Sequence, residues 1–244
     1  MVKNGSADRT ACAILGGLGI LVRRECWTLS RRGFVLVFLA IILGAFGGLR
    51  LLYPFLAITK RAPAADILVV DGWLPTLDLK TVAAQYLSGN YRQLLEVRGT
   101  YDFDAINQDP GNANFVTHLL VRNGVPSKQV NPVIFSGVKV DRTFYSALAV
   151  KEWCRRHGLP LQALNIATLG PHARRSRLLY QKAFGDEVAV GVISLDDPAY
   201  DRQRWWRSSE GVREVLFEFV AYVYVRFMFS PFQSAEVHLL PAGA

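Results

Sequence analysis

The sequence predicts an α/β fold, a Rossmann-like, doubly wound and mainly parallel sheet, preceded by one N-terminal transmembrane helix. Three features predict it. An early apolar run of 17 residues carries no charge, five short strand-like runs are apolar on both faces, and the helical patterns between them each stop at a glycine.

Residues 1–32 form a basic N-terminal segment expected to stay in the cytoplasm. Within it, residues 12–22 (CAILGGLGILV) are apolar, but eleven residues with three glycines are too few to span a bilayer. The span is assigned to residues 33–58. Gly33 to Leu49 (GFVLVFLAIILGAFGGL) is free of charge, and after Arg50 the apolar character resumes to Ile58. A soluble helix apolar all round over that length would be unusual, and Arg50 can snorkel to the interface beside Tyr53. Arg23, Arg24, Arg31 and Arg32 precede the span, whereas Arg50, Lys60 and Arg61 follow it. The positive-inside rule therefore keeps the N-terminus cytoplasmic and sends the rest outside, which for a bacterial inner-membrane protein is the periplasm. The leading region is some 32 residues long, the apolar stretch is too long for the core of a cleaved signal peptide and no clean A-x-A site follows, so the segment reads as a signal anchor.

After a linker over 61–65, the α/β domain is assigned to residues 64–230 and a tail to 231–244. The expected strands are 66–71 (DILVVD), 93–98 (QLLEVR), 132–136 (PVIFS), 164–168 (LNIAT) and 188–193 (VAVGVI). Helices are expected over 77–88, 112–123, 143–157 and 171–184, ending at Gly89, Gly124, Gly158 and Gly185. A last helix covers 205–229. Arg213, Glu214, Glu218 and Arg226 interrupt its apolar face, which excludes a second span. Its aromatic run, from Trp205 and Trp206 to Phe229, is expected to be buried, with a dimer surface or packing on the bilayer surface left open.

The net charge of +8 gives no nucleic-acid surface, because residues 1–33 supply half of it and the remainder is spread thinly. Cys12, Cys26 and Cys154 show no C-x-x-C spacing, and His118, His157, His172 and His238 are isolated, so no metal site is expected. Cys154 reads as a structural mid-helix residue. No P-loop, G-x-G-x-x-G or G-x-S-x-G motif occurs.

In an open α/β sheet, ligands bind beyond the carboxyl ends of the strands. The richest such segment is Thr168-Leu169-Gly170-Pro171-His172-Ala173-Arg174-Arg175. Gly170 allows a tight turn, Pro171 suits a helix start, and Arg174 and Arg175 sit where backbone N–H groups and the helix dipole favour an anion. The same arginines also suit a solvated helix face. Asp71, at the end of the first strand, fits a general base, a cation ligand or a partner for Arg98 or Arg174. Thr143 fits a helix N-cap or a ligand contact, and Trp73 and Tyr101 fit ring stacking or plain packing.

Together, the anchor, ADILVVDGW, VRGTYD, DRTFYSALA and TLGPHARRS resemble the ElyC/SanA/YdcF-like family, a bacterial domain of unknown function, over about residues 64–228. Gly72, Gly99, Thr143, Ala147, Thr168 and His172 match the family's motif positions, and Arg175 takes its arginine. Asp71 stands where relatives carry an apolar residue, Trp73 and Thr100 replace glycines, and Arg142 and Ser146 replace asparagines. The resemblance implies a Rossmann-like sheet and a role in cell-envelope biogenesis. No reaction is established for the family, although S-adenosylmethionine binding is associated with some cytoplasmic relatives. The expected site thus has His172 and Asp71 as acid/base groups and Gly72, Gly99, Thr100, Thr143, Ser146, Thr168, Arg174 and Arg175 as ligand contacts. The expected ligand bears phosphate or another anion, as a lipid-linked carrier or glycan precursor does, and no cofactor is specified. A non-catalytic scaffold of envelope synthesis is the alternative; a cytoplasmic domain would instead suit an S-adenosylmethionine or nucleotide-dependent transferase.

Overall fold

A computed structural model describes residues 30–71, 76–99, 112–136, 140–230 and 237–240. The chain divides into two units, Met1–Phe46 and Gly47–Ala244. Helix α1 (Arg31–Leu56) is, among the described residues, the one helix long and apolar enough to cross a membrane. Its second residue past the start is capped where the Ser30 hydroxyl accepts from the Gly33 N–H.

The second unit contains β1 (Ile67–Asp71), α2 (Thr76–Ser88), β2 (Gln93–Gly99), α3 (Asn112–Arg122) and β3 (Val130–Phe135). These are followed by α4 (Arg142–Arg156), β4 (Ala163–Leu169), α5 (His172–Phe184), β5 (Ala189–Leu195), α6 (Ser209–Phe227) and the two-residue β6 (Leu239–Leu240). The strand order is β5-β4-β1-β2-β3-β6, parallel throughout except for β6, whose Leu239 pairs antiparallel with Phe135. β1 is flanked by β2 and β4, with Ile67 in register with Gln93 on one side and Leu164 on the other. The direction of winding therefore reverses between β1 and β4, where such sheets place their ligand crevice.

Alternation along each strand builds two cores. Leu68, Val70 and Leu94 pack with Leu79, Val82 and Tyr86 of α2 and Leu120 of α3. Val69, Leu95 and Ile166 face the other way, onto Ala147 and Val150 of α4 and Leu179 and Tyr180 of α5. Strands buried on both faces must be apolar at nearly every position, which is why their sequence runs are continuous rather than alternating. Gly124, Gly158 and Gly185 take φ of 97°, 61° and 73°, the left-handed conformation in which a glycine ends a helix. Cys154 is buried in α4, and burial pushes its thiol up to about 11.

A third cluster joins the end of α1 to the start of α6, with Tyr53 and Leu56 against Trp205 and Val215. Beyond α1 the chain does not run free. Lys60 and Val192 exchange two backbone hydrogen bonds of 2.8 Å, so the segment covers the outer edge of β5. Asn165 on β4 reaches across Gly191 and accepts from the Ala62 N–H at 2.8 Å, and a Cβ at Gly191 would collide with both groups.

Two expectations are corrected. The α4 N-cap position is Asp141, in the left-handed region at φ 53°, and Thr143 lies inside the first turn, half-buried, so it is not the cap. The final helix is not buried as a whole. Trp205 and Phe229 are, but Phe217, Val220, Phe227 and Met228 are 66–76% exposed. The aromatic run reads as core from composition alone, and only the rotation of α6 about its axis decides which rings turn inward.

Candidate functional site

The site grows out of the β4 to α5 turn. Gly170 has φ 35° and donates its N–H to the Leu195 carbonyl at 2.7 Å, while its own carbonyl accepts from the Ser194 hydroxyl at 3.1 Å. A Cβ there would lie 3.1 Å from the Tyr53 hydroxyl and 3.5 Å from that of Tyr200. Glycine is thus favoured by the backbone angle, and the Tyr53 hydroxyl leaves little room for a side chain.

At the first residue of α5, His172 is buried with its Nδ1 3.0 Å from Glu218 Oε1 of α6. Arg175 grips the same carboxylate with both arms of its guanidinium, Nε to Oε2 at 2.7 Å and Nη2 to Oε1 at 2.8 Å. Its Nη2 also lies 2.9 Å from His172 Nδ1. That nitrogen can donate to Glu218 or accept from Arg175, not both at once. Burial alone would push the Glu218 carboxyl up. The His172 ring and the bidentate Arg175 outweigh it and hold the group well below the usual carboxylate range. Glu214, one turn earlier on α6, is pushed up instead, by burial first and then by the Glu218 and Asp197 carboxylates. Burial also drives the Tyr200 phenol upward, and Tyr200 packs edge-on to Tyr53 at 6.3 Å between ring centroids. Neither phenol hydroxyl has a hydrogen-bond partner among the described residues.

Arg174 points elsewhere. Its guanidinium lies 4.0 Å from the Phe55 ring centroid and 5.9 Å from that of Tyr222, and its Nε donates to the Phe55 carbonyl. The two neighbouring arginines therefore serve different partners, one on the α6 carboxylate and one on the end of α1.

Of the other expected residues, Thr168 is fully buried in β4, with no hydrogen-bond partner for its hydroxyl among the described residues. Thr143 and Ser146 lie on α4, which packs beside α5. Asp71 closes β1 in register with Val97, and Gly99 closes β2, buried, opposite Phe135. Gly72, Thr100, Trp73 and Tyr101 lie outside the described residues. No group of three or more His, Cys, Asp or Glu converges as a metal site among the described residues.

Sequence reasoning overlooked Glu218, reading it as an interruption of an apolar face. A lone carboxylate in an apolar helix is itself a signal, because such a group stays buried only when paired. A second buried pair, Glu96 with Arg98 on β2, also went unread. No protein-family model matches the chain, and comparison with curated proteins finds no match.

Proposed function

We propose that the chain is a single-span inner-membrane protein of the ElyC/SanA/YdcF-like kind. In this reading the N-terminus is cytoplasmic and the α/β domain faces the periplasm, where it serves cell-envelope biogenesis. The ligand bears phosphate or another anion, presented at the membrane surface on a lipid-linked carrier. One observation carries the reading: a buried carboxylate–imidazole–guanidinium unit stands directly behind β4, beside the winding reversal between β1 and β4. His172 is the acid/base group, Glu218 fixes its ring, and Arg175 fixes Glu218 as a positioning residue. Asp71 is the proposed acid/base counterpart, Gly99, Thr143, Ser146 and Thr168 are proposed ligand contacts together with Gly72 and Thr100, which lie outside the described residues, and Arg174 couples the site to the end of α1.

The test is a binding titration of the full chain in nanodiscs with a polyprenyl phosphate, and with inorganic phosphate as the water-soluble arm. Saturable binding that His172→Gln weakens tenfold or more, with the melting temperature nearly kept, is the expected result; no binding of either ligand overturns it. Compartment-sensitive reporters fused after Ala65 and after Ser230 test the orientation, and a cytoplasmic result moves the reading to a nucleotide or S-adenosylmethionine-dependent transferase. The burial of His172 and the full engagement of Arg175 by Glu218 also favour a second reading, a non-catalytic scaffold. Rescue of a null strain by the His172→Ala, Arg175→Ala double variant would select it.

A further inference from the structure

The inward side of α6 is accounted for: Gly211, Val215, Glu218 and Val225 are buried against the domain. Its outward side carries Leu216, Phe217, Val220, Tyr224, Phe227 and Met228 at helical spacing, all exposed. A stripe of this size on a water-facing helix needs an occupant.

The end of α1 indicates which one. Phe55 packs edge-on to Tyr222 of α6 at 5.6 Å, and Arg174 stacks over both rings. A bilayer core takes about 20 residues of helix. The charge-free run ends at Leu49 after 17, so about three more residues complete the crossing. Phe55 then stands about 5 Å past the core edge at 1.5 Å per residue, which is headgroup depth. Tyr222, touching Phe55, is brought to the same depth. The composition fits as well, since aromatic and aliphatic side chains flanked by Arg213 and Arg226 are what an interfacial helix presents, and the Arg226 guanidinium lies over the Phe227 ring at 5.6 Å.

We propose that α6 is a second membrane-contacting element whose outward stripe lies in the headgroup–acyl boundary of the bilayer that α1 crosses. The proposal rests on α1 being a span, and it goes beyond that reading by placing one face of the α/β domain on the lipid surface. The domain would then be held at two points, which fixes its orientation as well as its distance from the membrane.

The test uses the full chain in nanodiscs of phosphatidylethanolamine and phosphatidylglycerol, with Cys12 and Cys26 replaced by serine and the buried Cys154 left in place. Single nitroxide labels go at Phe217→Cys and Phe227→Cys, with Leu43→Cys as the span control and Lys128→Cys as the water control. Collision rates with oxygen and with a water-soluble nickel chelate are compared. The expected result is a several-fold higher oxygen-to-nickel ratio at 217 and 227 than at 128, approaching that at 43. Nickel access at 217 and 227 equal to that at 128, with 43 in lipid, overturns this proposal and leaves the anchor reading intact. Nickel access at 43 as well overturns both. Dipolar broadening between labels at 217 or 227 assigns the stripe to a second copy of the chain and also overturns it.

Discussion

Among the described residues two carboxylates, Glu96 and Glu218, lie buried in this domain and are held in opposite directions. Glu96, in the middle of β2, is fully enclosed and faces one guanidinium, that of Arg98 two residues along the same strand. Burial outweighs that single partner, and the Glu96 carboxyl is pushed up. Glu218 on α6 is almost as enclosed, yet it receives two arms of Arg175 and faces the His172 ring, and it is held down. Desolvation opposes charge at both sites. What differs is the number and geometry of the partners: an imidazole and a bidentate guanidinium fork from another helix together outweigh burial, and a single neighbour on the same strand does not.

That contrast is open to experiment. The largest effect is expected at Glu218→Ala, which leaves Arg175 and His172 without the carboxylate they share. Breaking a buried pair by removing one partner costs about 3–5 kcal/mol, a fall in melting temperature of order 10 °C. A loss below about 1 kcal/mol would show that the unit does not act as a buried ion pair. Glu96→Gln is expected to cost less, about 1–3 kcal/mol, because the amide keeps the side chain's shape and can still accept from Arg98. If Glu96→Gln proved the costlier change, the contrast would fail.

The pH dependence sharpens it further. Since the folded Glu218 value lies below the unfolded one, its contribution is present above about pH 4.3 and is lost as the pH falls through the folded value. Glu96 is raised, so its contribution is present below about pH 4.3 and declines as the pH rises through its folded value. The penalty of Glu218→Gln should therefore grow from acid toward neutral pH, while that of Glu96→Gln shrinks over the same rise. Melting curves of wild type and both variants from pH 3 to 8 measure this, and parallel slopes would refute it. The smallest effect is expected at the half-buried surface residue Glu152, which Arg155 and Arg156 hold down to about 2. Solvent and salt screen that pair, and Glu152→Ala should move the melting temperature least of all these changes.

Most of the fold is legible in the sequence because enclosure on both faces leaves a strand little choice of residue. ILVVD, LNIAT and the glycines past each helix announce themselves locally. β6 does not, since a two-residue antiparallel pairing leaves no pattern. The site is half legible. His172 and Arg175 are visible because a Gly-Pro turn after a strand marks the place, whereas Glu218 lies 46 residues from His172 and only the packing of α6 on α5 brings them together. The sequence also treats Arg174 and Arg175 as equals, and their divergence follows from the 100° that separates adjacent residues on a helix. The outward face of α6 escapes for a related reason: composition reports that a helix is apolar, not which way its rings turn.

The segment between α1 and the sheet bears on how the protein is made. Thr59 accepts a hydrogen bond from the backbone of Ser194, and the two residues are 135 positions apart. A chain emerging from the ribosome delivers α1 long before it delivers β5, so this contact is among the last that can close. Until then the outer margin of the sheet stands open. Completion of that seam is the step at which a still reactive folding intermediate becomes a protein that neighbouring strands can no longer extend.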